Sequence, residues 1–207
     1  MVRTASQDQW KIEVKYMIKN IIFDIGGVMF DDSTQNINKV LNENSELLCK
    51  KVYGKTFWNC VLGNTEVSDY IESFKDDKDY DKIKYILSRD NLHISYPLIQ
   101  ANFDYISKLK DKGYNLYILS NITRDSYEYV NDTIDINKIF NGGVYSYQEE
   151  LVKPDRRIYE LIVEKYNLNK EETMFFDDKQ KNIDAANEFG IKGVLFKTIE
   201  DIENNLK

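Results

Sequence analysis

The sequence predicts an α/β fold built on a parallel, doubly wound sheet with a helical insert, and three observations predict it. Short apolar runs of strand length alternate with segments whose apolar residues fall three and four apart, the pattern of strands joined by crossover helices. Several of those runs end abruptly on a polar residue: Ile21-Ile22-Phe23 on Asp24, Leu116 to Leu119 on Ser120, Met174-Phe175-Phe176 on Asp177 and Asp178. Right-handed crossovers place all such strand ends on one edge of the sheet, where open α/β sheets bind ligands. Between Ser33 and Ser95, by contrast, every apolar spacing is helical and no strand-like alternation interrupts it.

Taken in order, Met1 to Tyr16 is polar and mixed in charge and reads as an extension, either an arm or a short helix. The first strand, Ile21 to Phe23, delivers Asp24 to its own tip, and Gly26 and Gly27 then allow positive φ and close approach of backbone N–H groups to an anion. The insert follows, with Ile37, Val40, Leu41, Leu47, Leu48 and Val52 opening its stripe, and Lys75-Asp76-Asp77-Lys78-Asp79 a solvated connection within it. Pro97 is expected to open a helix carrying Leu98, Ile99, Phe103, Ile106 and Leu109, stopped by Gly113. Tyr114 to Ser120 is the second strand, Asp125 to Val130 a short helix, and Gly142 to Tyr147 a third strand. Lys153 sits on a turn stiffened by Pro154, ahead of a helix from Arg157 to Tyr166. A strand from Thr173 to Asp178, a helix ended by Gly190, a strand from Ile191 to Phe196 and a helix from Ile199 to Leu206 complete the chain. The expected organisation is an extension over 1–16, a core of 17–32 and 97–207, and a helical insert over 33–96.

Composition excludes several function classes. A net charge of −7 argues against the basic surface that nucleic-acid binders present. No run of about 18 apolar residues is available to span a membrane, and the N-terminus lacks the apolar centre of a signal peptide. Two cysteines without Cys-x-x-Cys spacing suggest neither a disulfide framework nor zinc, and a reducing cytoplasm is the expected setting. The single histidine, His93, argues against His-rich metal sites and a Ser-His-Asp triad, and reads as a residue linking insert to core. Acid/base and nucleophilic chemistry therefore falls to carboxylates, lysines and hydroxyls.

Four strand or helix starts offer Asp24, Ser120, Lys153 and the pair Asp177 and Asp178, in that order. This set resembles the four motifs of the haloacid dehalogenase (HAD) superfamily. They are carried by Asp24-Ile25-Gly26-Gly27-Val28, Ser120-Asn121, Lys153-Pro154, and Asp177-Asp178 with Asn182 following. Within it the chain is similar to subfamily I, the branch of sugar-phosphate phosphatases and the phosphatase domain of the mammalian epoxide hydrolase. The resemblance implies a HAD-like Rossmannoid three-layer sandwich, with residues 33–96 as a cap inserted after the first strand. It also implies a Mg²⁺-dependent phosphatase acting on a small phosphomonoester, with a sugar phosphate as one substrate, through an aspartyl-phosphate on Asp24. Lys153 would pair with Asp24 and with the phosphate, which Ser120 and Asn121 would also hold. Asp24, the backbone carbonyl of Gly26 and Asp178 would bind Mg²⁺, with Asp177 and Asn182 orienting them from behind.

One departure matters. Most phosphatases of the superfamily carry a second Asp two residues after the nucleophile as general acid and base, and here that position is Gly26. Proton transfer of this kind typically contributes about 10²- to 10⁴-fold, so esters with a good leaving group, such as sugar-1-phosphates, are favoured. The same departure sustains two alternatives: a module that binds a phosphometabolite or a protein with weak or no catalysis, and a 2-haloacid dehalogenase. Asp31 and Asp32 read as solvated. Phe57, Trp58, Tyr70 and Phe74 read as insert core, with one of the first two facing the substrate. Expected partners are a small phosphorylated metabolite, no nucleic acid and no membrane, for a monomer or weak homodimer.

Overall fold

The computed structural model describes residues 17–206. The extension expected over 1–16 lies outside the described residues.

Five parallel strands form one sheet: β1 Asn20–Phe23, β2 Asn115–Ser120, β3 Gly142–Tyr145, β4 Thr173–Asp177 and β5 Lys192–Leu195, in the order β3-β2-β1-β4-β5. The chain winds from β1 through β2 to β3, then returns to the other side of β1 for β4 and β5. The switch between those directions falls between β1 and β4, the place where a doubly wound sheet opens a ligand crevice. Phe23 is in register with Ile118 on one side and Phe176 on the other. Asp24 therefore stands level with Asp177, and its N–H donates to the Phe176 carbonyl.

Period-two alternation sorts the strand residues onto two faces. Ile21, Phe23, Leu116, Ile118, Met174 and Phe176 pack on one side with Ile106, Leu109, Val130, Ile134 and Ile202, from the helices Gln100–Asp111, Arg124–Ile134 and Ile199–Asn205. Ile22, Tyr117, Leu119, Val144 and Phe175 pack on the other with Ile158, Tyr159, Ile162, Ile183, Ala186 and Phe189, from Arg156–Lys165 and Gln180–Phe189. Three layers result, as expected. Between Thr34 and Ser95 the chain is a succession of short helices whose apolar residues, among them Ile37, Val52, Tyr70, Ile83 and Ile86, gather into a third cluster. Asp77 and Asp79 of the expected solvated connection pair with Lys51. No helix among the described residues is long and apolar enough to cross a membrane.

Three local expectations are corrected. Pro97 does not open its helix, which begins at Gln100. The Pro97 carbonyl accepts from Asp31 N–H, Leu98 bridges antiparallel to Phe30, and Ile99 N–H donates to Met29. This zip to the loop after β1 holds three residues extended before the helix can coil. The helix read over Asp125 to Val130 runs from Arg124 to Ile134, because Thr123 caps it by accepting from Ser126 N–H and the chain turns left-handed only at Asp135, φ 47°. The third strand stops at Tyr145, since the buried Ser146 is bound away from the sheet and starts a helical turn.

Candidate active site

Lys153 is the centre of the site. Its side chain is 1% exposed, and its ammonium donates to the Leu119 carbonyl at 2.8 Å and to Asp177 Oδ2 at 2.7 Å, and pairs with Asp24 Oδ2 at 2.8 Å. Burial opposes the charge on this lysine, but the two carboxylates outweigh it and hold its pKa above the ordinary value. Asp24, 8% exposed, is pushed up to about 7, first by burial and further by Asp177, against the opposing charge of Lys153. The Ser120 hydroxyl also hydrogen-bonds Asp24, and Ile25 N–H donates to Asp24 Oδ1 at 2.7 Å.

The loop that presents Lys153 is fixed by Asn121. Its Nδ2 donates to the Lys153 carbonyl at 3.0 Å, and its Oδ1 accepts from Lys153 N–H at 2.8 Å. With its side chain so used, Asn121 can meet a phosphoryl group only through its main chain.

Asp177 closes β4 and is fully buried, while Asp178 lies one residue past the strand end. Both oxygens of Asp177 are engaged, by Lys153, by Lys179 N–H and by Asn182 Nδ2. Asp178 differs: Oδ2 accepts from Lys179 Nζ at 2.6 Å, whereas Oδ1 is buried with no hydrogen-bond partner among the described residues. Gly27 abuts it, with φ +70° and room so tight that a Cβ would lie 2.4 Å from the Asp178 carboxyl carbon. Carboxylate oxygens of Asp24, Asp177 and Asp178 all lie within 4.8 Å of one another. An all-oxygen donor set with one orphaned buried carboxylate oxygen suits a hard divalent cation such as Mg²⁺. Asp178, through its unpartnered Oδ1, and Asp24, which lines the cavity, could hold it, whereas Asp177 is fully buried with both oxygens bound.

Above this edge opens a cavity of about 760 Å³, lined at one end by Asp24, Asn121 and Lys153 and elsewhere by residues of the helical segment. Both Phe57 and Trp58 line it, where one was expected. Three further residues at the site escaped the sequence reading. Asp32 is exposed, as expected, yet it also lines the cavity, 3.6 Å from Lys179 Nζ, and desolvation by its surroundings raises its pKa against the pull of Lys179. Lys179 thereby bridges Asp32 and Asp178. Tyr96, stacked on Phe30, brings its hydroxyl to 3.3 Å from where a Cβ of residue 26 would stand, and Asp32 Oδ2 comes to 3.2 Å from the same point. His93 is remote from this chemistry, its Nδ1 beside the Asp90 carbonyl on the surface.

The chain also has relatives among known proteins. Over 185 residues, 84% of this chain and 82% of the other, the sequence is 23% identical to a phosphorylated carbohydrates phosphatase of Thermotoga maritima. It is 29% identical over 89 residues to the sesquiterpene phosphatase astK of Aspergillus oryzae, a match spanning 43% of this chain and 45% of that protein. In three dimensions it superposes with a TM-score of 0.72 on a HAD family enzyme of Bacteroides thetaiotaomicron, determined in complex with magnesium and inorganic phosphate. That match has 21% identity and covers 92% of this chain and all of the other. The family model of haloacid dehalogenase-like hydrolases matches residues 18–190, and the chain belongs to that family.

Proposed function

We propose that this hydrolase is a Mg²⁺-dependent phosphatase that cleaves a small phosphomonoester through a phosphorylated Asp24, with residues 33–96 as a cap over a core of 17–32 and 97–207. The observation that carries the reading is the buried Asp24–Lys153 pair at 2.8 Å beside the orphaned Oδ1 of Asp178, at the switch point of the sheet. A carboxylate attacking a phosphate dianion needs its surroundings to be cationic, and no other arrangement among the described residues offers a nucleophile and a buried ammonium together.

In this reading the Asp24 carboxylate attacks phosphorus, the bond to the leaving alkoxide breaks, and an acyl phosphate forms. Water then attacks the same phosphorus, releasing phosphate and restoring Asp24. Lys153 holds Asp24 in place and balances charge on the transferring group. Ser120 and the main chain of Asn121 hold phosphoryl oxygens. Asp24, the Gly26 carbonyl and Asp178 would hold Mg²⁺, which when bound neutralises phosphoryl charge. Asp177 and Asn182 keep Lys153 and the Asp178 turn in position. A sugar phosphate is the substrate that the sequence resemblance implies, and the Thermotoga relative is named for carbohydrates; the Aspergillus relative is named for a sesquiterpene.

The test is phosphate release from para-nitrophenyl phosphate with Mg²⁺ or with EDTA, comparing wild type and Asp24→Asn. Turnover that requires the metal and vanishes in Asp24→Asn is expected. Folded, Mg²⁺-binding protein without turnover would move the assignment to a binding module, and chelator-insensitive chloride release from a 2-haloacid would move it to a dehalogenase.

A further inference from the structure

We infer that the ester hydrolysed here is the monophosphate of a bulky hydrocarbon alcohol, which the helical segment 33–96 selects by burying it; this rests on the phosphatase reading above. The cavity of about 760 Å³ far exceeds a phosphoryl group and falls within the usual range for whole ligands. Beyond Asp24 and Lys153 its apolar lining includes Ile37, Phe57, Trp58, Val61, Leu92 and Ile122. Tyr53 and Trp58 also line it while remaining 39% and 37% exposed, although the segment has its own core in which to bury aromatic rings. Apolar surface left open in continuity with a reactive centre is the mark of a ligand contact.

The polar residues of the same walls argue against a sugar. A site built for hydroxyls presents convergent donors and acceptors that only the substrate satisfies. Here Asn121 is spent on the Lys153 backbone, Thr123 Oγ1 on Ser126, and Ser95 Oγ on the Ile86 carbonyl. Lys50 and Glu46, both exposed, pair with each other, and Lys179 pairs with Asp178. Of the other polar lining residues Asp32 faces Lys179 and Asn182 is bound to Asp177, which leaves Thr34, Ser126, Lys181 and the hydroxyls of Tyr53 and Tyr96 beside a mainly apolar lining, and hydrocarbon is what such a lining binds. Each methylene fully withdrawn from water favours binding by about fourfold.

The experiment measures kcat/KM with Mg²⁺ for n-alkyl phosphates from ethyl to octyl below their micelle-forming concentrations, with geranyl phosphate, glucose 1-phosphate, glucose 6-phosphate and para-nitrophenyl phosphate alongside. The expected result is a rise of roughly two- to fourfold per added methylene, with geranyl phosphate above both sugar phosphates. Trp58→Ala is expected to lower the octyl-to-ethyl ratio by about tenfold. A flat series, or preference for a glucose phosphate, with para-nitrophenyl phosphate still hydrolysed, overturns the substrate class and leaves the phosphatase standing. No turnover of any ester by folded, Mg²⁺-binding protein overturns both.

Discussion

Lys153 shows how much one side chain fixes. Its ammonium is shared among Asp24, Asp177 and the Leu119 carbonyl, all out of water. Removing one partner of a buried charge cluster leaves the others uncompensated and typically costs about 3–5 kcal/mol. Lys153→Met should therefore lower the unfolding free energy by about 3 kcal/mol in urea titrations; a loss under about 1 kcal/mol, the range of exposed ion pairs, would mean that the pair is effectively solvated. Gly27 is the second such residue. At φ +70° an alanine is strained by roughly 1 kcal/mol, and its Cβ would meet the Asp178 carboxyl group at 2.4 Å. Gly27→Ala is expected to weaken Mg²⁺ binding at least tenfold, read by calorimetric titration, and unchanged affinity would remove Asp178 from the proposed metal site. Asp24, Gly27, Lys153 and Asp178 were legible because each lies within a few residues of a strand end or a helix start, where sequence punctuation is sharpest. Asp32 and Tyr96 were not, since their approach to Gly26 depends on the turn closed by Gly27 N–H to the Phe30 carbonyl and on the Leu98–Phe30 bridge. Neither contact leaves a periodic trace in the chain.

At the scale of elements, helix Arg156–Lys165 begins three residues after Lys153, and its start is held by Asp155. The Asp155 carboxylate accepts from Arg157 N–H and pairs with the Arg157 guanidinium, and these hydrogen bonds hold its pKa down at about 2. A depressed carboxylate stabilises the fold above its unfolded pKa of about 4, and the contribution is lost as pH falls toward the folded value. Asp155→Ala should thus destabilise by about 1 kcal/mol at neutral pH. The gap from wild type should narrow between about pH 5 and about pH 3, as followed by urea midpoints; a gap that widens in acid would reverse the assigned sign. The five strands were readable as short apolar runs, three of them ending on a polar residue, whereas their order in the sheet was not. The start of helix Gln100–Asp111 was not, because a proline suits an extended zip as well as a first helical turn, and the hydrogen bonds from Asp31 and to Met29 that decide between them come from about 70 residues earlier in the chain.

For the molecule as a whole, the order β3-β2-β1-β4-β5 places the ends of β1 and β4 side by side, and the helices between Thr34 and Ser95, with a hydrophobic cluster of their own, share in lining the cavity there. Two kinds of contact join these helices to the rest of the chain. Arg89 pairs with Glu128 and Asp132 on the surface, where exposed ion pairs contribute little. Ser146 is different in kind: fully buried, its hydroxyl donates to the Val61 carbonyl at 2.7 Å and accepts from Ile122 N–H at 2.9 Å, tying the wall of the cavity to the loop after β2. Close by, the backbone of Gly63 packs so near the Tyr147 carbonyl that no Cβ would fit. Deleting the hydroxyl strands a buried donor and a buried acceptor at once, a penalty of about 1–3 kcal/mol for each group left dry. Ser146→Ala is accordingly expected to speed amide hydrogen exchange across residues 58–62 and around Ile122 more than in the strands β1 and β4, with KM rising while kcat for bound substrate changes less. The direction follows from where Val61 and Ile122 stand, both on the cavity wall and neither at Asp24. Uniformly faster exchange throughout the sheet would instead make Ser146 a general stabiliser of the fold, with no particular hold on the helices that line the cavity.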